Sequence, residues 1–458
     1  MKKYKLGIFI FTRDLRLDDN STLIFALSEC ETIIPIFIFN PHQIDTTNKY
    51  KSDSCVQFMC ECLDELNESL NAKKSRLFYF YDYPEKVIGL LLKKYKDILA
   101  VYMNKDYTPF AVERENSIKK ICDTQMVHFV ALEDHVLNGV DDIKNGSGDA
   151  YVKFTPFMRT AKKKKISIPV KNTYTNYATK SKKLDGEYKK DIHKFYTKNP
   201  NVIVAGGRSN AINIFKNIKS FADYNTERDY PSVNTTLLSP YLKFNVVSVR
   251  EIYHYIKKNL PKNTKLITQL YWRDFYMSIT YHHPHVIGNN MKENYVIKWK
   301  NDTKLINKWR NGQTGFPLVD AGMRQLNTIS WMHNRVRMVV ANFLIKILQS
   351  DWRIGEQYFA QKLIDYDPAN NNGGWQWCAS TGTDSQPYFR YLNPWLQSKK
   401  FDKDCEYIKK WIPELQDVDT KDIHKWNITY KKYPNIKYPK PIVDNVTKIV
   451  KNTIKMYQ

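Results

Sequence analysis

Four unbroken apolar runs punctuate the first quarter of the chain: Leu6 to Phe11, Ile33 to Phe39, Leu77 to Tyr81 and Ile98 to Met103. Stretches with helical spacing separate them. Apolar runs of strand length without polar alternation belong in a sheet covered on both faces, and the helices between them are the crossovers a parallel sheet needs. The pattern predicts an open, parallel, Rossmann-like α/β domain over residues 1–130. The turn after the first run, Thr12-Arg13-Asp14-Leu15-Arg16, lacks a Gly-x-Gly-x-x-Gly fingerprint, so the usual dinucleotide site is not expected there. From 131 to 204 the periodicity fades, and Lys162 to Lys198 holds twelve Lys, three acidic residues and no Arg. This stretch reads as a long interdomain linker, a solvated tether that can also steer phosphates. Beyond Gly206-Gly207 helical spacing dominates, with Pro and Gly at the breaks, which predicts an all-α domain over 205–458.

The length of 458 residues exceeds what one hydrophobic core holds, in keeping with two domains. Charge sharpens the picture: 71 Lys and Arg against 47 Asp and Glu leave a formal +24, which favours a polyanionic partner, nucleic acid before an anionic membrane. The 31 Tyr, 22 Phe and 10 Trp suit base stacking or a flat cofactor as well as a large core. The first apolar run is stopped by Arg13 and Asp14, too early for a signal peptide or membrane span, so an intracellular, non-secreted protein is expected. Seven cysteines without a paired pattern point to a reducing compartment, with Cys55, Cys60 and Cys62 as packed thiols on one helix.

Three segments concentrate chemistry. In Trp331-Met332-His333-Asn334-Arg335-Val336-Arg337-Met338, at the start or middle of a helix, Asn334 and Met338 share a face, Trp331 and Arg335 likewise, and Arg337 points elsewhere. Such a helix can show an amide and a sulfur to one ligand and an arginine to another, although core packing plus a surface charge uses the same residues. In Asp365-Tyr366-Asp367-Pro368-Ala369-Asn370-Asn371-Asn372-Gly373-Gly374-Trp375-Gln376-Trp377 the Asn, Gly and Pro content predicts a polar loop. Its carboxylates and carboxamides suit a heterocycle with mixed hydrogen-bonding edges better than a metal. In Gln269-Leu270-Tyr271-Trp272-Arg273-Asp274, Gln269, Trp272 and Arg273 fall on one helical face, a stacking platform for a base with Arg273 free to meet phosphate. His282, His283 and His285 around Pro284 read as a solvated loop rather than a metal site, and Asn145-Gly146-Ser147-Gly148 as a turn.

Together these segments, with Ser380-Thr381-Gly382-Thr383-Asp384, Pro387-Tyr388-Phe389-Arg390 and the N-terminal Phe11 to Arg16 turn, resemble the photolyase/cryptochrome family. Trp411-Ile412-Pro413-Glu414-Leu415 is similar to its C-terminal helix. Within the family, His333-Asn334-Arg335-x-Arg337-Met338 and Asn371-Asn372-Gly373-Gly374-Trp375-Gln376-Trp377 look like class I cyclobutane pyrimidine dimer photolyases. They lack the His-His pair usual in (6-4) enzymes and the Asp usual in plant cryptochromes.

The resemblance implies a helical domain holding reduced FAD through Tyr224, Thr235, Thr236, Leu237, Leu238, Ser239, Arg273, Arg337, Asp365 and Asp367, with Asn371 facing flavin N5. A dimer flipped out of UV-damaged DNA would stack on Trp272 and Trp377 and meet Gln269, Asn334 and Met338, while Arg228, Arg335 and Arg390 hold the DNA. Excited FAD would pass an electron to the dimer, whose ring opens. Trp375, Trp352 and Trp299 would form the tryptophan chain of photoreduction. The implied protein is a monomeric DNA repair enzyme without a membrane; a cryptochrome-like receptor and a (6-4) enzyme are the alternatives. Class I enzymes often carry Glu where this chain has Gln269, and Asn104-Lys105-Asp106 lacks the Asn-Glu pair of folate binders. A second antenna chromophore, folate or deazaflavin, is therefore left unspecified.

Overall fold

The computed structural model describes residues 2–458, which pack as two compact units. The first gathers residues 2–198, 204–222 and 237–284; the second gathers 199–203, 223–236 and 285–458. Chain order and packing order thus differ, because the segments at 204–222 and 237–284 belong with the sheet.

The first unit is built on a five-stranded parallel sheet in the order β3-β2-β1-β4-β5, with β1 (Tyr4–Phe11), β2 (Cys30–Phe39), β3 (Phe78–Tyr81), β4 (Ile98–Asn104) and β5 (His128–Leu132). Four strands match the apolar runs. In β1 the register sets Ile8 beside Ile34 on one side and Val101 on the other, and Ile8, Phe9 and Ile10 are buried, as expected of a strand covered on both faces. Gly7 permits that closeness, since a Cβ there would lie 2.8 Å from the Cys30 sulfur. The fifth strand, His128-Phe129-Val130-Ala131-Leu132, gives little sequence signal because it is a half-buried edge.

Side chains cap three of the helices between the strands, α1 (Ser21–Glu29) by Asn20, α2 (Asp53–Ala72) by Ser52 and α4 (Pro109–Thr124) by Thr108, while α3 (Pro84–Lys94) starts on a proline without a side-chain cap. Cys55, Cys60 and Cys62 lie on the packed face of α2. The helices α5 (Phe154–Ala161), α6 (Arg208–Lys216), α7 (Val249–Asn259) and α8 (Lys265–His282) complete this unit. Gly207, at φ 107, makes the turn into α6, and Ser248 with Glu251 forms a reciprocal cap on α7.

The lysine-rich stretch is not a free tether. Its backbone is tied to the sheet: Ala178 N–H donates to Ile33 O at 2.8 Å, Tyr188 N–H to Tyr79 O at 2.7 Å, and the Arg76 guanidinium reaches Lys180 O and Lys182 O at 3.2 and 3.1 Å. The lysine side chains are mostly exposed. Composition reported those side chains, whereas the order of the segment resides in backbone groups that composition does not encode.

At the C-terminal ends of β1, β4 and β5 lies a buried charge network. Asp134 accepts from Arg16 at 2.6 Å and from Arg250 at 2.9 Å, and Arg250 also reaches Asp19 at 3.0 Å. Burial alone would raise the Asp134 carboxyl, but the two guanidiniums hold it below the ordinary range. Nearby, Asn104 and Asn20 both donate to Asp14.

The second unit is helical, with α9 (Pro317–Ile329), α10 (Asn334–Asn342), α11 (Trp352–Lys362) and α12 (Pro368–Ala379) around a core of Met323, Leu326, Val340, Phe343, Trp309 and Trp375. The segment expected to be a C-terminal helix is a helix end: Trp411 closes six helical residues and Pro413–Leu415 is a single tight turn. Among the described residues no helix is long and apolar enough to cross a membrane.

Replacing Asp134 with Ala takes the carboxylate from the buried Arg16 and leaves Arg250 with Asp19 alone, and the expected loss is about 3 to 5 kcal/mol of unfolding free energy. Urea denaturation of D134A measures it, and an unchanged midpoint would show the network to be dispensable.

Candidate active site

The polar segment after Asp365 is a helix, not the expected loop. Asp367 caps α12, accepting from Asn370 N at 3.0 Å and Asn370 Nδ2 at 2.9 Å, and Pro368 occupies the first turn. Asn372, Trp375, Gln376 and Ala379 are all buried, and their spacing of three, four and seven residues is that of a helical stripe. Poor propensity of Asn and Gly was outweighed by this cap and packing. Gln376 and Asn372 serve the scaffold, both donating to Val286 O at 3.0 Å.

Asn371 turns the other way. Its Nδ2 donates to Glu356 O at 3.0 Å, which ties the carboxamide to the backbone of α11. The Arg337 guanidinium is held by Met332 O at 2.7 Å and by the buried Asp365 carboxylate at 2.9 Å. Tyr224, Thr235 and Thr236 are half-buried, and burial raises the Tyr224 phenol. A guanidinium, two carboxylates at a helix start and a clamped neutral carboxamide give the mixed donor and acceptor set that a flavin edge requires.

On α10, Asn334 Nδ2 lies 3.9 Å from the Met338 sulfur, the shared face that the sequence indicates. Trp331 lies outside the helix, which His333 caps by accepting from Arg335 N at 3.2 Å, so Trp331 and Arg335 share no helical face. Arg335 pairs with Asp229 at 2.7 Å and covers the Phe401 ring at 4.4 Å; Arg228 approaches the same carboxylate at 3.9 Å. Asp229 and Phe401 were not anticipated, as neither lies in a distinctive motif. Arg390 is exposed beside Phe389, itself 60% exposed, and Trp377 is half-buried.

Trp352 and Trp375 are buried and Trp299 half-buried, packed in or against one core. Trp352 Nε1 donates to Asn290 Oδ1 at 2.9 Å. Trp375 lies over Gly355, where a Cβ would come within 2.1 Å of the indole. Trp309, 6.3 Å from Trp375 between ring centres, escaped sequence reasoning because an isolated buried Trp has no signature.

In the first unit the predicted platform on α8 is corrected. Gln269, Trp272 and Tyr276 form the half-open stripe, while Arg273 is buried and donates to His135 O and Leu242 O and pairs with Asp274 at 3.2 Å. It is therefore not free to meet phosphate. Asp274, raised by burial to about 7 despite Arg273, also accepts from Leu137 N. Leu237 adopts a left-handed turn at φ 53, Leu238 is buried and Ser239 exposed. The indole of Trp272 lies flat on Phe154, with ring centres 3.6 Å apart and planes 8° from parallel. His282 ends α8 and contacts Val140 O at 3.2 Å, so it is tied rather than solvated. Among the described residues no His, Cys, Asp or Glu group is arranged to hold a metal.

These features coincide with matches to known proteins. Residues 8–174 match the model of the DNA photolyase domain, and residues 266–458 match that of the FAD binding domain of DNA photolyase. The chain belongs to the DNA photolyase family. A deoxyribodipyrimidine photo-lyase of Halobacterium salinarum is 32% identical, with 96% of each chain covered. An archaeal photolyase from Sulfolobus tokodaii, solved with two FAD molecules, is 39% identical, with 99% of each chain covered and a TM-score of 0.87. A cryptochrome of Synechocystis sp. PCC6803 is 26% identical with full coverage of both chains and a TM-score of 0.89. As a family member the chain is an FAD-binding photo-lyase of light-driven DNA repair, and the family acts on UV-damaged DNA.

His333 supplies a pH test of the α10 cap. Burial, with Arg337 and Arg335 nearby and despite Asp229, holds the imidazole down to about 4. The unfolded chain takes up that proton first as pH falls, so the stability from a neutral His333 is complete above about pH 6.5 and declines toward pH 4, by on the order of 3 kcal/mol at most. His333→Asn keeps a capping side chain without a titrating ring, and denaturation across this range should show a flatter pH dependence than the parent protein.

Proposed function

We propose that the chain repairs cyclobutane pyrimidine dimers, acting as an intracellular monomer on a dimer flipped out of the duplex. The observation that carries this reading is Asn371, whose amide is held in place by one N–H donated to Glu356 O and which offers a neutral carboxamide. An uncharged acceptor suits the N–H edge of a reduced flavin without adding negative charge beside it. When bound, reduced FAD would supply, on excitation, an electron that opens the cyclobutane ring and then returns to the flavin, so that the repair is redox-neutral overall.

The remaining work falls to the protein. Within the second unit Arg337, fixed by Asp365, and Asp367 at the start of α12 orient the cofactor, together with Tyr224, Thr235 and Thr236. The buried Trp375 and Trp352 and the half-buried Trp299 serve as the route for an electron. On the first unit Trp272 offers a stacking face beside Gln269; on the second, Trp377 offers an aromatic face, and Asn334 and Met338 an amide and a sulfur for base edges. Arg335, already oriented by Asp229 and Phe401, holds phosphate with Arg228 and Arg390. Flipping costs least at a lesion that pairs and stacks poorly, and this supplies damage selectivity. In this reading residues 1–130 form the antenna domain and 205–458 the catalytic domain. A second chromophore beside FAD, a folate, a deazaflavin or a flavin as in the Sulfolobus photolyase, would add its own absorption band.

Blue light on the reduced holoenzyme with a defined thymine dimer should restore the two thymines; a dimer left intact would overturn the reading. Repair of a (6-4) product instead would assign that lesion, and light-dependent partner binding without repair would assign a receptor. Trp272→Ala should weaken binding to dimer-containing DNA by roughly 5- to 150-fold, as expected of 1 to 3 kcal/mol of stacking. Binding to undamaged DNA should change far less, as equilibrium titration of both duplexes would show.

A further inference from the structure

We propose that Phe154 is a positioning residue for lesion recognition: its ring holds the Trp272 indole as a stacking shelf with a single open face. The inference rests on the reading of Trp272 as a base platform.

Phe154 is the first residue of α5, a helix within the stretch 131–204 that fading periodicity marks as a linker, and 118 positions of chain separate it from Trp272. Its ring is buried, at 5% exposure, and lies face to face with the indole at 3.6 Å and 8°. Aromatic pairs usually prefer offset or edge-on arrangements at longer separation, so this flat pile is set by the packing of α5 against α8. The edge of Phe275 meets both rings, 5.7 Å from each at 73° and 81°. Tyr276 flanks the indole at 5.6 Å. The indole is thus covered on one face by Phe154, met edge-on by Phe275 and contacted by the tilted ring of Tyr276, while remaining half-buried rather than buried.

Two consequences follow. A side chain pinned in one orientation has lost its rotamer freedom on folding, so a stacking base does not have to order it. An indole with one face covered also cannot insert between two stacked bases, because intercalation uses both faces. It can only receive a base that has already left the stack, and flipping is easiest at a lesion. Phe154 therefore acts on the ratio of damaged to undamaged DNA binding as well as on affinity.

The test uses the holoenzyme in the dark, titrated with a dimer-containing duplex and with the same duplex undamaged. Phe154→Leu and Phe154→Met, which keep an apolar filling without an aromatic face, should each lower the ratio of the two affinities by roughly tenfold. Phe154→Tyr should restore it. Phe157→Leu, which alters the other α5 ring against Phe275, should lower stability and leave the ratio unchanged. Near-UV circular dichroism of the DNA-free protein should change in the Leu and Met variants and recover in Tyr. If the Leu and Met variants keep the parent ratio while Trp272→Ala abolishes it, the proposal fails and the platform reading stands. If Trp272→Ala also keeps the ratio, the platform reading fails, and the proposal with it.

Discussion

Two buried guanidiniums, Arg16 and Arg250, share the carboxylate of Asp134, and the first unit is organised around keeping them paired. Parallel strands all end on the same side, so β1, β4 and β5 deliver their final residues and following turns to one place. There the turn after β1 contributes Asp14, Arg16 and Asp19, β4 contributes Asn104, and the chain after β5 contributes Asp134. None of these charges tolerates burial alone. Arg250 comes from α7, so the ion pairs bind a helix from the second half of the sequence to the sheet. Through the packing of α7 on α8 and of α5 on α8, the same constraint fixes where Trp272 stands.

In the second unit the recurring device is a helix start fixed by a side chain. His333 caps α10, Asp351 caps α11 and Asp367 caps α12, and each cap determines the rotation at which the following residues leave the helix. Asn334 with Met338 on α10, and Asn371 on α12, lie off the buried stripes of those helices, which are filled by Val336, Val339 and Val340 and by Asn372, Trp375, Gln376 and Ala379. The site residues occupy what the packing leaves over. Their orientation is then locked by one further bond apiece, Arg337 by Asp365, Arg335 by Asp229, and Asn371 by Glu356. Sites built in this way are ordered before their ligand arrives, which lowers the entropy lost on binding.

Much of the fold was legible in the sequence because burial on both faces leaves a continuous apolar signature. β1, β2, β3 and β4 were visible for that reason, and β5, a half-buried edge, was not. α12 was misread because Asn and Gly propensities argued for a loop, although the buried stripe at 372, 375, 376 and 379 was already present in the spacing. The lysine-rich stretch was misread as a tether because its ordering bonds are made by backbone groups common to every residue. Of the site residues, the sequence brought forward the motif members Arg337, Asp365, Asp367 and Asn371. Asp229, Glu356, Phe401 and Phe154 come from elsewhere in the chain and carried no signal.

The sequence by itself determined four of the five strands, the helical character of the second half and the cationic balance, since these depend on local spacing and composition, and it carried the motifs whose family resemblance implies Asn371, Arg337, Trp272 and the three tryptophans. Only the tertiary structure decided that Arg273 is consumed by carbonyls of the protein, that 237–284 packs with the sheet, and that the face of Trp272 is halved by a ring 118 positions away. Pairings of that kind depend on which elements meet in space, and residues far apart in the chain leave no periodicity that records their meeting.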